Sequence, residues 1–327
     1  MTGEPRGAMA GTGGTGAPVL EVRGLRKVFG DLVAVDGISF AVREGEIFGF
    51  LGPNGAGKTT AISMICGLLT PTDGEILVDG RPAREDPREV KRRLGVVPQE
   101  VALYEDLTAR ENLEFWGGIY GLKGPALRAR IAAVLDQVGL GERAREPIKN
   151  FSGGMKRRLN LAMGLIHDPR LILLDEPTVG IDPQARHNIL EVVKDVVRAG
   201  RTVLYTTHYL EEAEALCDRL AIIDHGKILA QGTVEELKAQ LGVGSLLTLK
   251  GGFTAARLGE VVARVDGLSA LEAADGRAML LVARGSAGVG HALEALYRAD
   301  LQIDGVTIKE PSLEDLFLKL TGRELRD

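Results

Sequence analysis

The chain has 327 residues, 45% of them hydrophobic and 26% charged, with a formal net charge of -5. That is an ordinary globular composition, long enough for about two domains and without the basic excess that nucleic-acid binding needs, so no nucleic-acid partner is expected. No apolar run approaches the roughly 18 residues of a membrane span, and the opening "MTGEPRGAMAGTGGTGAPV" has no apolar centre to make it a signal peptide.

That opening reads as a flexible Gly/Thr/Ala tail over residues 1–18. Further on, Ile47 to Leu51 is a short apolar run suited to a buried parallel strand. It leads into Gly52, Pro53, Asn54, Gly55, Ala56, Gly57, Lys58, Thr59 and Thr60, and then into a helical apolar pattern from Ala61 to Leu69. Strand, G-x-x-x-x-G-K-[ST] loop and helix together make a phosphate-binding loop. Glycines let backbone N–H groups curl around phosphate oxygens. Lys58 can reach the β- and γ-phosphates, and the Thr59 hydroxyl can take a place on Mg²⁺. Cys66, in the same helical pattern, and Cys217 have no Cys or His at metal-ligand spacing. Both are expected as reduced, buried thiols in a cytoplasmic chain.

Residues 101–149 show helical spacing, with Tyr104, Phe115, Trp116 and Tyr120 among them. Then comes "NFSGGMKRRLNLA", from Asn150 to Ala162. Ser152, Gly153 and Gly154 ahead of a basic amphipathic helix form a second anion holder, made of a hydroxyl, open N–H groups and the positive end of a helix dipole. The basic runs Lys91-Arg92-Arg93 and Lys156-Arg157-Arg158 read as solvated helix faces, the second also able to help anchor phosphate.

Leu171 to Leu174 is another buried-strand run, ending in Asp175-Glu176. Adjacent carboxylates at the end of an apolar strand are costly without a cation or a proton-transfer task. Asp175 fits Mg²⁺, and Glu176 fits the base for an attacking water. Val203 to Thr206 is a third strand, with His208 just past its end, before an acidic helix start. In an open parallel sheet, ligands bind beyond the carboxyl ends of the strands, so the loop at Gly52, the two carboxylates and His208 can converge on one nucleotide. The expectation is a nucleoside triphosphate hydrolase.

"GPNGAGKTT", "VVPQE", "FSGGMKRRL", "LILLDEPTVGID" and "TTHYLEEAEALCD", in that order, resemble the ATP-binding subunits of ABC transporters. The likeness runs from Val19 to about Leu241, and it implies an α/β fold: a P-loop NTPase cassette over 19–241 with a helical subdomain at about 100–165. It also implies ATP and Mg²⁺ as cofactors, with ATP held between two subunits packed head to tail. Ser152, Gly153 and Gly154 of one subunit would close over the nucleotide on the other subunit's loop. Phe29 would stack on adenine, or else serve as a core aromatic. Gln99 would contact Mg²⁺ or the water and sense the γ-phosphate, and Asp182 would lie in the loop crossing the interface. The family's signature commonly reads Leu-Ser-Gly-Gly-Gln. Here Phe151 and Met155 stand at its ends; similar Met-containing signatures occur in ABC-2 type drug- and antibiotic-export subunits, and Met155 cannot make the polar contact of a glutamine.

The resemblance further implies a separate membrane permease received by the helical subdomain, with Tyr104, Phe115, Trp116 and Tyr120 as contacts or as the subdomain's own core. The subunit would sit on the inner face of the cell membrane through that permease, in a homodimer, and drive export of a drug, antibiotic or lipid-like compound. The alternative is an ABC-type ATPase in translation, DNA repair or membrane signalling.

Residues 242–327 carry no catalytic pattern. The order strand (Leu246–Leu249), helix (Ala255–Val265), strand (near Leu268–Glu272), strand (Ala278–Ala283), helix (Gly288–Arg298), strand (Leu301–Ile308) predicts a small ferredoxin-like α+β unit. Its expected role is regulation or bracing of the dimer, or passive packing. "EPSLEDLFLKLTGRE" resembles the end of daunorubicin- and linearmycin-resistance ATPase subunits, with Leu313, Leu316, Phe317 and Leu320 on one docking face.

Overall fold

The structure, a computed structural model, describes residues 18–241, 243–283, 288–299, 301–310 and 312–322. The tail expected over 1–18 therefore lies outside the described residues but for Pro18, which opens the first strand.

Two long strands, β1 (Pro18–Phe29) and β2 (Leu32–Arg43), pair antiparallel and precede β3 (Ile47–Leu51). The phosphate-loop helix α1 (Lys58–Ile65) is followed by β4 (Asp73–Val78), β5 (Arg81–Pro82), α2 (Pro87–Arg93) and β6 (Leu94–Val97). Helices α3 (Ala109–Ile119), α4 (Gly124–Gln137) and α5 (Gly153–Leu165) then pack on one another. The chain returns through β7 (Leu171–Asp175), α6 (Pro183–Arg198), β8 (Thr202–Thr207), α7 (Leu210–Leu216), β9 (Arg219–Asp224), β10 (Lys227–Thr233) and α8 (Val234–Ala239).

Strands β2-β1-β4-β5 form an antiparallel sheet, and β10-β9-β3-β8-β7-β6 form a second sheet, parallel except at its β10 edge. Alternation along the buried strands divides the interior into two layers. Phe48 and Phe50 of β3 and Leu171 and Leu173 of β7 face the antiparallel sheet and α1. Ile47, Leu51, Ile172 and Leu174 face the helical side, in one core shared with the helical subdomain, α6 and α7. Gly49 is required in the middle of β3, because a Cβ there would stand 2.7 Å from Cys217 Sγ.

Local chemistry fixes the helical subdomain. Thr108 and Glu111 form a reciprocal capping box at the start of α3. Buried Asn112 donates to the carbonyls of Tyr104 and Thr108 and accepts from the Tyr104 N–H, so its burial leaves little unsatisfied. Arg130 of α4 donates to the Leu165 and Ile166 carbonyls at 2.6 and 3.1 Å, closing the end of α5.

The second basic run is not the solvated face its composition predicts. Arg157 donates to the carbonyls of Gln99 and Val179, Arg158 to those of Val138 and Gly139, and Lys156 pairs with Glu105. Arg157 thereby ties α5 to the segments that follow β6 and β7, while Lys156 and Arg158 brace α5 within the subdomain. Of the first run, Arg93 likewise pairs with Asp79 and Glu89.

Past α8, β11 (Val243–Gly251), α9 (Ala255–Val262), β12 (Leu268–Ala274), β13 (Arg277–Ala283), α10 (Gly288–Arg298) and β14 (Ile303–Lys309) make an antiparallel sheet ordered β12-β13-β11-β14. That is the ferredoxin-like βαββαβ arrangement, with its own core of Leu247, Leu249, Leu258, Leu280 and Leu296 among others. Helix α11 (Leu313–Thr321) leaves this unit and docks against α7 and α8. Leu313, Leu316 and Phe317 are buried in the large cassette core, while Leu320 remains 37% exposed. Lys319 donates to the Gln240 and Leu241 carbonyls, and the Leu313 N–H donates to Glu214.

Candidate active site

Strand order explains why distant motifs meet. Strands β3, β8 and β7 are consecutive neighbours in the parallel sheet, and each ends in a polar motif. The loop after β3 holds Gly52 to Gly57, β7 ends in Asp175 followed by Glu176, and His208 directly follows β8. Beside them opens a cleft of about 450 Å³, lined by Asn54 to Thr60, Phe29, Gln99 and Glu176 among others.

The phosphate loop is shaped by backbone freedom. Gly57 caps α1 at φ +103°, where a Cβ would meet the Ala34 carbonyl oxygen at 2.6 Å. Gly52 is equally constrained by sterics, its missing Cβ facing the Ile223 carbonyl. Lys58, 3% exposed, donates to the carbonyls of Gly52 at 2.5 Å and Pro53 at 2.9 Å, and its ammonium stands 3.0 Å from Glu176 Oε1. The Lys58 ammonium is therefore held against its own loop and Glu176.

Asp175 is buried and accepts from the Thr206 hydroxyl at 2.8 Å. Burial pushes its carboxyl above the ordinary range, against the lowering effect of hydrogen bonds from Thr206 and Thr59. A buried carboxylate with a threonine hydroxyl beside it, and no cluster of three or more His, Cys, Asp or Glu among the described residues, is a sparse set of hard oxygen donors. It fits Mg²⁺, which keeps several waters and takes phosphate oxygens for the rest, and not a metal that needs a full cage of side chains. Asp175 and Thr59 would hold the ion.

Glu176 takes the left-handed backbone at φ +45°, a costly conformation for a residue with a Cβ. Its N–H donates to Thr206 Oγ1 at 2.9 Å, so one threonine hydroxyl braces both acidic residues. Its side chain lies between Lys58 and His208, whose Nδ1 is 3.2 Å from Glu176 Oε2.

The structure gathers Lys58, Thr59, Asp175, Glu176 and His208 at one end of the sheet, with Gln99 and Phe29 on the cleft wall. Phe29 is 45% exposed, with the Lys27 ammonium 5.0 Å from its ring centroid, so it is no core aromatic. Ser152, Gly153 and Gly154 do not line this cleft. Ser152 instead caps α5, accepting from the Met155 N–H at 3.3 Å. Asp182 likewise caps α6, accepting from the Ala185 N–H at 2.9 Å, and is not in the cleft wall.

Leu32 to Ala34, His225 and Gly226 also line the cleft, and sequence reasoning missed them. Gly226 donates to the Ala56 carbonyl and accepts from the Asp36 N–H, tying the β9–β10 turn to the loop and to β2. The only hint in the sequence was the turn-forming Asp-His-Gly at 224–226.

In the helical subdomain, Tyr104 and Phe115 are about half exposed, with ring centroids 5.1 Å apart, and Trp116 packs against the core. Tyr120 stacks on His167 at 3.6 Å.

Known proteins resemble this chain over most of its length. The profile of the family described as "ABC transporter" matches residues 35–179. The linearmycin resistance ATP-binding protein of Bacillus subtilis (strain 168) is 45% identical over 312 residues, covering 94% of this chain and 100% of that protein. The Nod factor export ATP-binding protein I of Ralstonia nicotianae is 40% identical over 325 residues, covering 97% of this chain and 98% of that one. A solved ATP-binding subunit of an ABC transporter matches with a TM-score of 0.62 at 32% identity, over 68% of this chain and 93% of that chain.

Proposed function

This chain belongs to the ATP-binding subunits of ABC transporters and hydrolyses ATP, and from that premise we propose that it powers a separate permease in export. No described helix is long and apolar enough to cross a membrane, so movement of cargo requires a membrane partner. The chain sits at the cytoplasmic membrane face through that permease. Its cargo is a drug, antibiotic or lipid-like compound, a reading supported by full-length similarity to a resistance protein and to an export protein.

The observation that carries the reading is the meeting of Lys58, Asp175, Glu176 and His208 beside one cleft while the Ser152-Gly153-Gly154 cap stays outside it. Lys58 and the loop N–H groups bind the phosphates, and Phe29 stacks on the base. Thr59, Asp175 and Gln99 would hold Mg²⁺, which would supply charge compensation of the phosphate oxygens. Glu176 accepts the proton of the attacking water, and His208, 3.2 Å away, orients that carboxylate. Ser152 caps a helix N-terminus whose lysine, Lys156, is paired with Glu105, so it closes on a phosphate already neutralised on a second subunit. Asp182 caps a neighbouring helix and joins the same interface. ATP then bridges two copies of the chain, and hydrolysis releases them.

The test is affinity purification of tagged Glu176→Gln protein from solubilised native membranes in ATP. A multi-span permease in stoichiometric amount is the expected result. Recovery of a soluble dimer alone would contradict the transport reading.

A further inference from the structure

A third buried carboxylate lies in the same region as Asp175 and Glu176, and hydrolysis as described above does not use it. Glu212, in the first turn of α7, is 2% exposed. Its Oε1 accepts from the Thr178 hydroxyl at 2.7 Å, and its Oε2 accepts from the Tyr205 phenol and the Thr207 hydroxyl, both at 2.8 Å. Arg186 of α6 places Nε 3.5 Å from Oε1 and its guanidinium 4.1 Å above the Tyr209 ring. That Nε makes no hydrogen bond among the described residues, so Arg186 acts on Glu212 through charge.

The donors come from two segments that carry the reacting groups. Thr178 lies two residues beyond Glu176, and Thr207 immediately precedes His208. The Thr207 hydroxyl also accepts from the Tyr209 N–H at 2.9 Å, which fixes the backbone on both sides of His208. Burial and the nearby Glu212 charge push the Tyr205 phenol well above its usual range, so it remains a donor. In a low-dielectric site, a carboxylate with three O–H donors and a neighbouring cation is a rigid anchor, and loss of any one donor is felt by the rest.

We propose that Glu212 is a positioning residue for ATP hydrolysis: by holding Thr178 and Thr207 on one carboxylate, it sets the Glu176 side chain against His208. The inference rests on the reading of Glu176 as general base. Glu212 contacts no residue of the phosphate loop in these hydrogen bonds, so its influence falls on the chemical step and not on nucleotide binding. A misplacement of about 1 Å can cost about a hundred-fold in rate, so partial loosening costs about ten-fold.

The experiment measures kcat and KM for Mg·ATP on the full chain and on Thr178→Val, Thr178→Ser, Glu212→Gln and Glu176→Gln, well below each melting temperature. Thr178→Val and Glu212→Gln are expected to lower kcat about ten-fold with KM within about two-fold. Thr178→Ser, which keeps the hydroxyl, is expected to restore kcat to within about two-fold of the unaltered chain. Two results would overturn the inference: unaltered kcat in Thr178→Val, or Thr178→Ser as slow as Thr178→Val. If Glu212→Gln does not fold, the Thr178 pair still decides. Turnover in Glu176→Gln would sink the general-base reading itself, whereas an inactive Glu176→Gln beside a fully active Thr178→Val would sink only the role of Glu212.

Discussion

The parallel sheet and the C-terminal antiparallel sheet are both centred on buried apolar strands, β3, β7 and β8 in one and β11 and β13 in the other, and reach opposite outcomes. In the parallel sheet, β3, β8 and β7 run the same way, so their carboxyl-terminal loops lie side by side and bring Lys58, Asp175, Glu176 and His208 together. In the sheet ordered β12-β13-β11-β14, successive strands alternate in direction, and their loops are shared between two ends. The first region buries charges, as at Lys58, Asp175, Glu176 and Glu212, and holds Glu176 at a positive φ. The second has an apolar interior, with exposed pairs such as Arg257–Glu260 and Arg298–Glu294 at its surface. Strand direction, more than strand composition, decides where chemistry can collect.

That comparison can be broken by substitutions in either region. The largest effect is expected at Glu176. Replacing it with Gln removes the proposed base and is expected to lower turnover by about a hundred-fold or more while ATP still binds, measurable as steady-state phosphate release beside nucleotide affinity. Within the antiparallel sheet, Leu247→Ala empties a fully buried site and costs about 2–5 kcal/mol of that unit's stability, seen in denaturant unfolding. Its kcat per folded molecule is expected to be unaltered, and a fall like that of Glu176→Gln would erase the distinction. Phe317→Ala, at the α11 dock, costs about 3–5 kcal/mol, but in the cassette core, so the cassette transition moves even though the substitution lies in the C-terminal helix.

Smaller effects sharpen the electrostatic side of the contrast. Burial raises the Asp175 carboxyl, so the folded chain binds that proton more tightly than the unfolded chain does. Its contribution to stability is therefore present at acid pH and lost as pH rises through the folded-state value. Asp175→Asn is expected to raise the melting temperature of the nucleotide-free chain at neutral pH and to abolish Mg²⁺-dependent hydrolysis. A lower melting temperature would mean that the Thr206 and Thr59 hydrogen bonds outweigh burial. Burial likewise raises the Cys66 and Cys217 thiols, so alkylation of the native chain at neutral pH should be slow and should follow unfolding.

How much of this was legible follows from how local each signal is. Gly52 to Thr59 announces itself because the spacing of glycines, lysine and hydroxyl is dictated by one bound group and lies within one loop. The ferredoxin-like order was legible from alternation and turns, with strand and helix ends displaced by only a few residues from those expected. Strand neighbours were not legible from periodicity, which carries no information about which strand lies beside which. The same limit hid Leu32 to Ala34, His225 and Gly226, which reach the cleft from another sheet and another turn. Arg157 and Arg158 read as solvated because their acceptors are carbonyls about 20 to 58 residues away. At α11 the docking face was readable, and its destination in the cassette core was not.

The central claim is that the loop at Lys58 and the cap at Ser152 serve one nucleotide from two copies of the chain. Mixing Lys58→Ala with Ser152→Arg protein in equal amounts tests it most directly, with phosphate release as the readout. Each variant alone should be inactive. The mixture should regain hydrolysis, because a mixed pair contains one site with Lys58 from one copy and Ser152 from the other. A mixture as inactive as either variant would contradict the claim, since sockets serving the same chain would leave no intact site in any pairing.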